Sequence, residues 1–129
     1  MATFTGEFTF EPAVVGTCVF TLYEGRNLAN MDSVGKQDPY VKLTLGETTK
    51  QSKTCEDGGT DPYFEEEELV LWIDDTAWTE DLLVQVYDED VGLDDLIGQS
   101  NVPLLPYMAV PPQHAKEQVF ELFNKVDAK

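Results

Sequence analysis

The stretch Leu82–Gly98, LLVQVYDEDVGLDDLIG, joins a strand pattern to a dense group of acidic residues. Its first part alternates in the period-two pattern of a strand with two different faces. Asp88 and Asp90 follow while the chain is still extended, so both carboxylates point to the same side. After a turn, Asp94 and Asp95 bring further carboxylates back. Since like charges repel, this arrangement favours a hard cation such as calcium, which takes about six to eight oxygen ligands.

The composition limits the possible functions. The chain has 129 residues, 42% of them hydrophobic, and a formal net charge of -17. This length predicts a single domain, residues 1–129. The negative charge argues against nucleic acid as a partner, because phosphates need Lys and Arg. It also argues against resting adhesion to an anionic membrane.

The sequence gives no sign of a membrane span or of secretion. No apolar run reaches the roughly 20 residues that a bilayer requires. The N-terminus lacks the basic and apolar regions of a signal peptide. Two cysteines, Cys18 and Cys55, do not make a disulfide framework. A reduced, cytoplasmic setting is therefore expected.

Short strand patterns separated by turn signals predict an all-β sandwich. In the second strand, Cys18, Phe20 and Leu22 share one face, so Cys18 is predicted to be a core residue. No helix of three turns is evident. The predicted strands are Thr3–Phe10, Thr17–Tyr23, Tyr40–Leu45, Thr48–Thr54, Leu69–Ile73, Leu82–Tyr87, Ile97–Val102 and Gln118–Phe123.

Acidic residues also occur in two earlier loops. Asp32 and Asp38 lie in the first, and Asp57 and Asp61 lie in the second. In a Greek-key sandwich, loops at one end lie together although they are distant in sequence. Carboxylates from the first loop and from the stretch after Tyr87 are therefore expected to share one site.

Three motifs in this order resemble the C2 domain family. The first is NLANMD at Asn27–Asp32, followed by GKQDPYVKL at Gly35–Leu43. The second is GTDPYFEE at Gly59–Glu66, where the family usually has Asn before the Pro. The third is VYDED at Val86–Asp90, followed by DLIG at Asp95–Gly98. The resemblance covers roughly residues 16–123, and three motifs in order are more specific than any one.

The resemblance implies an eight-stranded antiparallel Greek-key β-sandwich that binds phospholipid membranes in a calcium-dependent way. It implies the synaptotagmin-like strand topology, because the chain ends soon after Phe123 and Gly6–Phe10 must supply the remaining strand. An extra Glu near the fifth strand suggests a bulge.

The resemblance also implies the calcium ligands. Family pattern assigns five aspartates from the first and third motifs and the backbone carbonyls of two further residues. The third loop looks one residue shorter than usual, so Asp94 and Asp95 compete for the fifth carboxylate position. The implied set is Asp32, Asp38, Asp88, Asp90 and Asp95 with the carbonyls of Met31 and Glu89.

Apolar residues at the loop tips, Val34, Val91 and Leu93, are expected to insert shallowly between lipid headgroups. Isolated apolar residues are also common on protein surfaces, so this alternative stays open.

Two functions remain open. One is a calcium-dependent module that binds anionic phospholipid membranes. The other is a calcium-independent protein-interaction or scaffold module on the same fold. No phosphate-binding glycine loop and no His-based triad is specified by the sequence, so an enzyme is not expected. A monomer recruited from the cytoplasm as a peripheral membrane protein is expected.

Overall fold

The computed structural model describes residues 2–10, 17–30, 36–72, 81–103 and 116–122. These residues form eight strands and contain no helix, so none could span a membrane as a helix. The all-β prediction is confirmed. The strands are β1 (Thr3–Phe10), β2 (Thr17–Arg26), β3 (Pro39–Leu45), β4 (Thr48–Gln51), β5 (Tyr63–Trp72), β6 (Asp81–Asp88), β7 (Asp95–Pro103) and β8 (Lys116–Glu121).

The strands make two antiparallel four-stranded sheets, with the orders β5-β2-β1-β8 and β4-β3-β6-β7. Strand β1 lies between β2 and β8, so that Phe4 is opposite Gly25 on one side and Phe120 on the other. The N-terminal segment thus supplies the strand that the sequence predicted for the synaptotagmin-like topology.

Alternate residues of the two sheets build the core between them. In β6, Leu82, Val84 and Val86 are completely buried, as the period-two pattern predicts. Burial of each such side chain contributes about 1.5–3 kcal/mol. Cys18 of β2 is also completely buried, which confirms it as a core residue, and burial raises the pKa of its thiol to about 12.

Strand β5 begins six residues earlier than the predicted Leu69–Ile73. Its first half carries glutamates, but β5 is an edge strand with one side exposed to solvent, where charged residues are tolerated. Glu65 and Glu66 have φ values of 58° and 57°, and the register with β2 shifts beside them. The predicted bulge is therefore present.

Strand β4 ends three residues before the predicted Thr54. Ser52 explains the early end, because its hydroxyl accepts the N–H of Val41 at 2.8 Å. Its own N–H still donates to the Val41 carbonyl at 2.8 Å. A side chain thus replaces the backbone acceptor of the ladder at this point.

The ends of three neighbouring strands, β3, β6 and β7, meet at one end of the sheet β4-β3-β6-β7. Pro39, at the start of β3, pairs with Asp88 at the end of β6. On the other side, Asp88 pairs with Asp95 at the start of β7. Acidic residues that are far apart in sequence are thereby brought to one place.

Candidate functional site

Three of the residues predicted to supply carboxylate ligands, Asp38, Asp88 and Asp95, lie at this end of the sheet. Asp88 is completely buried, and its Oδ1 accepts the backbone N–H of Asp38 at 2.8 Å. The backbone N–H of Glu89 donates to the Asp38 carbonyl at 2.9 Å, which fixes the two chain segments side by side. Asp95 is directly opposite Asp88 in the β6–β7 register. Strand pairing therefore brings the backbones of Asp38, Asp88 and Asp95 to one end of this sheet.

We call residues 27–38 loop one, residues 52–62 loop two and residues 89–94 loop three. Loop two contacts the acidic residues of the other two loops. The N–H of Asp57 donates to Asp38 Oδ1 at 2.7 Å, and Asp57 has a φ of 55°. The Thr54 hydroxyl donates to Glu89 Oε2 at 2.7 Å. The Glu89 side chain thus faces loop two, and its backbone carbonyl stays a predicted ligand.

Gln37 joins loop one to loop two from inside the protein. It is completely buried, and its Nε2 donates to the carbonyls of Ala29 at 2.8 Å and Gly59 at 3.0 Å. The Gly59 N–H donates back to the Gln37 carbonyl at 3.0 Å. Sequence reasoning missed this residue, because a single Gln between Lys36 and Asp38 carries no burial signal.

Asp61 holds the same two loops together nearer the surface. Its Oδ1 accepts the backbone N–H of Asn27 at 2.9 Å, and Asn27 has a φ of 55°. An Asn at position 61 could accept the same hydrogen bond through its amide oxygen. The departure from the family's usual residue therefore preserves the contact and adds a negative charge.

Loop three is closed by Asp94. Its Oδ2 accepts the hydroxyl of Tyr40 at 2.5 Å, and its Oδ1 accepts the backbone N–H of Asp90 at 3.0 Å. The Tyr40 bond first, and then the Asp90 bond, lower the pKa of the Asp94 carboxyl. Burial, and then the Asp94 carboxylate, raise the pKa of the Tyr40 phenol above its ordinary value. Tyr40 is thus a protonated donor and Asp94 an ionised acceptor at neutral pH.

The tip of loop three is apolar and exposed. Val91 is fully exposed and Leu93 is 89% exposed. The Val91 N–H donates to Asp90 Oδ1 at 2.8 Å, so the tip begins directly at one of the predicted ligands. Of the predicted inserting residues, Val34 lies outside the described residues.

Negative charge accumulates at this end of the sandwich, although Lys36 of loop one and Lys53 of loop two also lie there. The ion pair recorded among the described residues joins Arg26 to Glu24, at the end of β2 just before loop one. None of Asp38, Asp90 and Asp95 forms an ion pair with a Lys or Arg in the described ranges. The site therefore carries a strong negative field, as the sequence predicts.

Oxygen donors of this kind fit calcium, whose ligands are carboxylates and backbone carbonyls. Each carboxylate offers about four acceptor sites. The carboxylates of Asp38 and Asp88 each accept a backbone N–H, from Asp57 and Asp38 respectively, so acceptor sites remain for an ion. Within the described ranges, however, no three His, Cys, Asp or Glu residues are placed to hold a metal ion. Met31 and Asp32, which belong to the predicted ligand set, lie outside those ranges.

Comparison with known proteins identifies the family. The family model of the C2 domain matches residues 16–122, most of the chain. The chain belongs to the C2 domain family. This C2 domain is 31% identical over 101 residues to 16 kDa phloem protein 2 of Arabidopsis thaliana, covering 75% of this chain and 67% of that protein.

Two further comparisons give similar proteins. A calcium-dependent lipid-binding protein of Arabidopsis thaliana is 29% identical over 90 residues, which span 69% of this chain but 17% of that protein. The C2A domain of a plant extended synaptotagmin 1 superposes with a TM-score of 0.72 at 25% identity. That comparison covers 88% of this chain and 85% of the C2A chain. The family is thus one of modules that bind lipids and proteins.

Proposed function

We propose that this C2 domain is a calcium-dependent module that binds anionic phospholipid membranes. The observation that carries the proposal is the completely buried carboxylate of Asp88, placed between Asp38 and Asp95. A buried ionised carboxylate is costly unless a counter-charge or hydrogen bonds stabilise it. Holding it beside two further aspartates makes physical sense if the group coordinates a cation.

The residues that would hold calcium are those of the family pattern. Asp38 and Asp88 are oriented by backbone N–H groups, and Asp90 and Asp95 flank them on loop three and β7. Asp32 with the Met31 carbonyl would complete the set from the part of loop one outside the described residues, and the Glu89 carbonyl would complete it from loop three.

Electrostatics then explains the membrane step. Without a counter-ion, the acidic loop end repels an anionic headgroup layer. Bound calcium would supply positive charge there and coordination positions for phosphate or carboxylate oxygens. Val91 and Leu93 project from the same loop end and would enter the headgroup region. The domain would be cytoplasmic, monomeric and recruited to the membrane as a peripheral protein.

The alternative is a protein-interaction module that does not need calcium. It is favoured by the observation that, in the described ranges, no three acidic residues are already placed around a metal position. The two functions differ in whether calcium changes the protein and its lipid binding.

Calcium binding to the isolated domain tests the proposal. We expect calcium to raise the thermal midpoint, because a ligand that binds only the folded state stabilises it. We expect magnesium at equal concentration to raise it less, since the site has only oxygen ligands on separate loops and magnesium requires a tight octahedron. Thermal shift and isothermal titration with both ions measure this difference.

The affinity for calcium in the absence of lipid should be weak, on the order of micromolar to millimolar, because no single loop encloses the ion. No heat of binding and no thermal shift at millimolar calcium would favour the alternative. An equal shift with magnesium would contradict the proposed coordination.

A further inference from the structure

We propose that Tyr40 and Asp94 form a latch that sets the shape of loop three before calcium arrives. In this role Asp94 is a positioning residue and not a ligand. The inference rests on the proposed function and adds to it a residue pair that controls the calcium concentration at which the domain responds.

The geometry separates the two candidates for the fifth ligand. Both carboxylate oxygens of Asp94 accept hydrogen bonds, Oδ2 from the Tyr40 hydroxyl at 2.5 Å and Oδ1 from the Asp90 N–H at 3.0 Å. Asp95 is instead paired with Asp88 across the strands. Coordination by Asp94 would have to share its oxygens with these two hydrogen bonds, whereas coordination by Asp95 leaves both bonds untouched. The structure therefore favours Asp95 as the fifth ligand.

Tyr40 is a rigid anchor for the latch. It belongs to β3, is only 6% exposed, and stacks on Tyr87 of β6 with ring centroids 5.6 Å apart and an interplanar angle of 16°. Its hydroxyl position is therefore fixed by the second sheet. Through its hydrogen bond to this hydroxyl, Asp94 fixes the C-terminal end of loop three relative to the sheet.

The latch closes loop three at both ends. Asp94 is tied to the sheet through Tyr40, and the same carboxylate holds the backbone of Asp90 four residues earlier. The predicted ligand Asp90 and the apolar tip at Val91 and Leu93 are thereby kept in one arrangement. A site ordered in advance loses less conformational entropy on binding, so its affinity is higher.

Loss of the latch is expected to change the calcium concentration for half-maximal membrane binding but not the maximal extent of binding. Without the latch, calcium must order the loop itself, so more calcium is needed for half-maximal membrane binding. Once calcium is saturating, the ordered loop is the same with or without the latch. The maximal extent of membrane binding should then be unchanged.

The test is a calcium titration of binding to phosphatidylserine–phosphatidylcholine vesicles by wild type and Tyr40→Phe. This variant keeps the ring stacked on Tyr87 and removes the hydroxyl. We expect half-maximal calcium to rise about five- to tenfold, the effect of losing one hydrogen bond of ordinary net strength. In calcium-free protein, hydrogen exchange at the Asp90 N–H should be faster.

Tyr23→Phe is the matched control, because Tyr23 donates a comparable hydrogen bond to Glu7 Oε2 at 2.9 Å in the other sheet. It should leave half-maximal calcium unchanged. In Asp94→Ala, whose exposed position makes misfolding a minor concern, no side-chain oxygen remains to accept either hydrogen bond. Adding Tyr40→Phe to that variant should have little further effect if both act through the latch.

The outcomes distinguish the latch from the proposed function. Calcium-dependent binding by wild type with the same half-maximal calcium in Tyr40→Phe would overturn the latch alone. A lower plateau at unchanged half-maximal calcium would also overturn it, because the pair would then act on the lipid contact. Absence of calcium dependence in wild type would contradict the proposed function, and the latch with it.

Discussion

Replacing Asp88 by Asn is expected to weaken calcium binding by roughly 10- to 100-fold, the loss of a buried charged contact. Asp88 is completely buried between the ends of β3 and β7. An Asn there has nearly the same shape, and its Oδ1 can still accept the Asp38 N–H. The fold should therefore be preserved while the negative charge is lost.

The same variant should not lower the thermal midpoint of the calcium-free domain. Burial penalises a charged carboxylate, so a neutral amide at position 88 removes a cost of folding. Calcium, by contrast, should stabilise Asp88→Asn much less than wild type. An unchanged or higher thermal midpoint without calcium, together with a smaller stabilisation by calcium, would show that Asp88 contributes to ion binding and not to folding stability.

Asp81→Asn is the matched control, because Asp81 is exposed at the other end of the same strand. Isothermal titration with calcium and thermal denaturation with and without calcium should be run on all three proteins. Equal calcium affinity in Asp88→Asn and Asp81→Asn would remove Asp88 from the site.

The double variant Val91→Ala, Leu93→Ala is expected to bind anionic vesicles about tenfold more weakly at saturating calcium. Both side chains are almost entirely exposed in the free protein, so their truncation leaves the core unchanged. Complete burial of a Val or Leu contributes about 1.5–3 kcal/mol, and shallow insertion recovers only a part of it. Calcium affinity measured without vesicles should not change.

Val70→Ala is the control for this experiment. Val70 is an exposed apolar residue, but it lies on β5 and not on a loop. Vesicle co-sedimentation of the two variants and wild type measures the difference. If the double variant bound as well as wild type, shallow insertion of this tip would be wrong, and the electrostatic switch would be unaffected.

Strands and their core residues could be predicted from the sequence where one face of the strand is buried. The alternation in β2 and β6 predicted the core residues correctly, because side chains on a strand point alternately to its two faces. The start of β5 could not be found in this way. Its glutamates lie on an edge strand, where exposure removes the hydrophobic alternation, and two of them have positive φ.

The site was predictable as a set of acidic residues but not as a set of contacts. Local motifs pointed to Asp38, Asp88 and Asp95, and strand pairing brings these residues together. The roles of Gln37 and Asp94 depend on partners 22 and 54 residues away in sequence. No local pattern encodes such pairs, so the structure was needed to find them.

Binding to phosphatidylserine vesicles with and without calcium tests the central proposal most directly. The domain should co-sediment with vesicles that contain phosphatidylserine when calcium is present. It should remain in the supernatant in chelator, or with vesicles of phosphatidylcholine alone, and binding should weaken as salt screens the charges. Equal binding in calcium and in chelator would contradict the account.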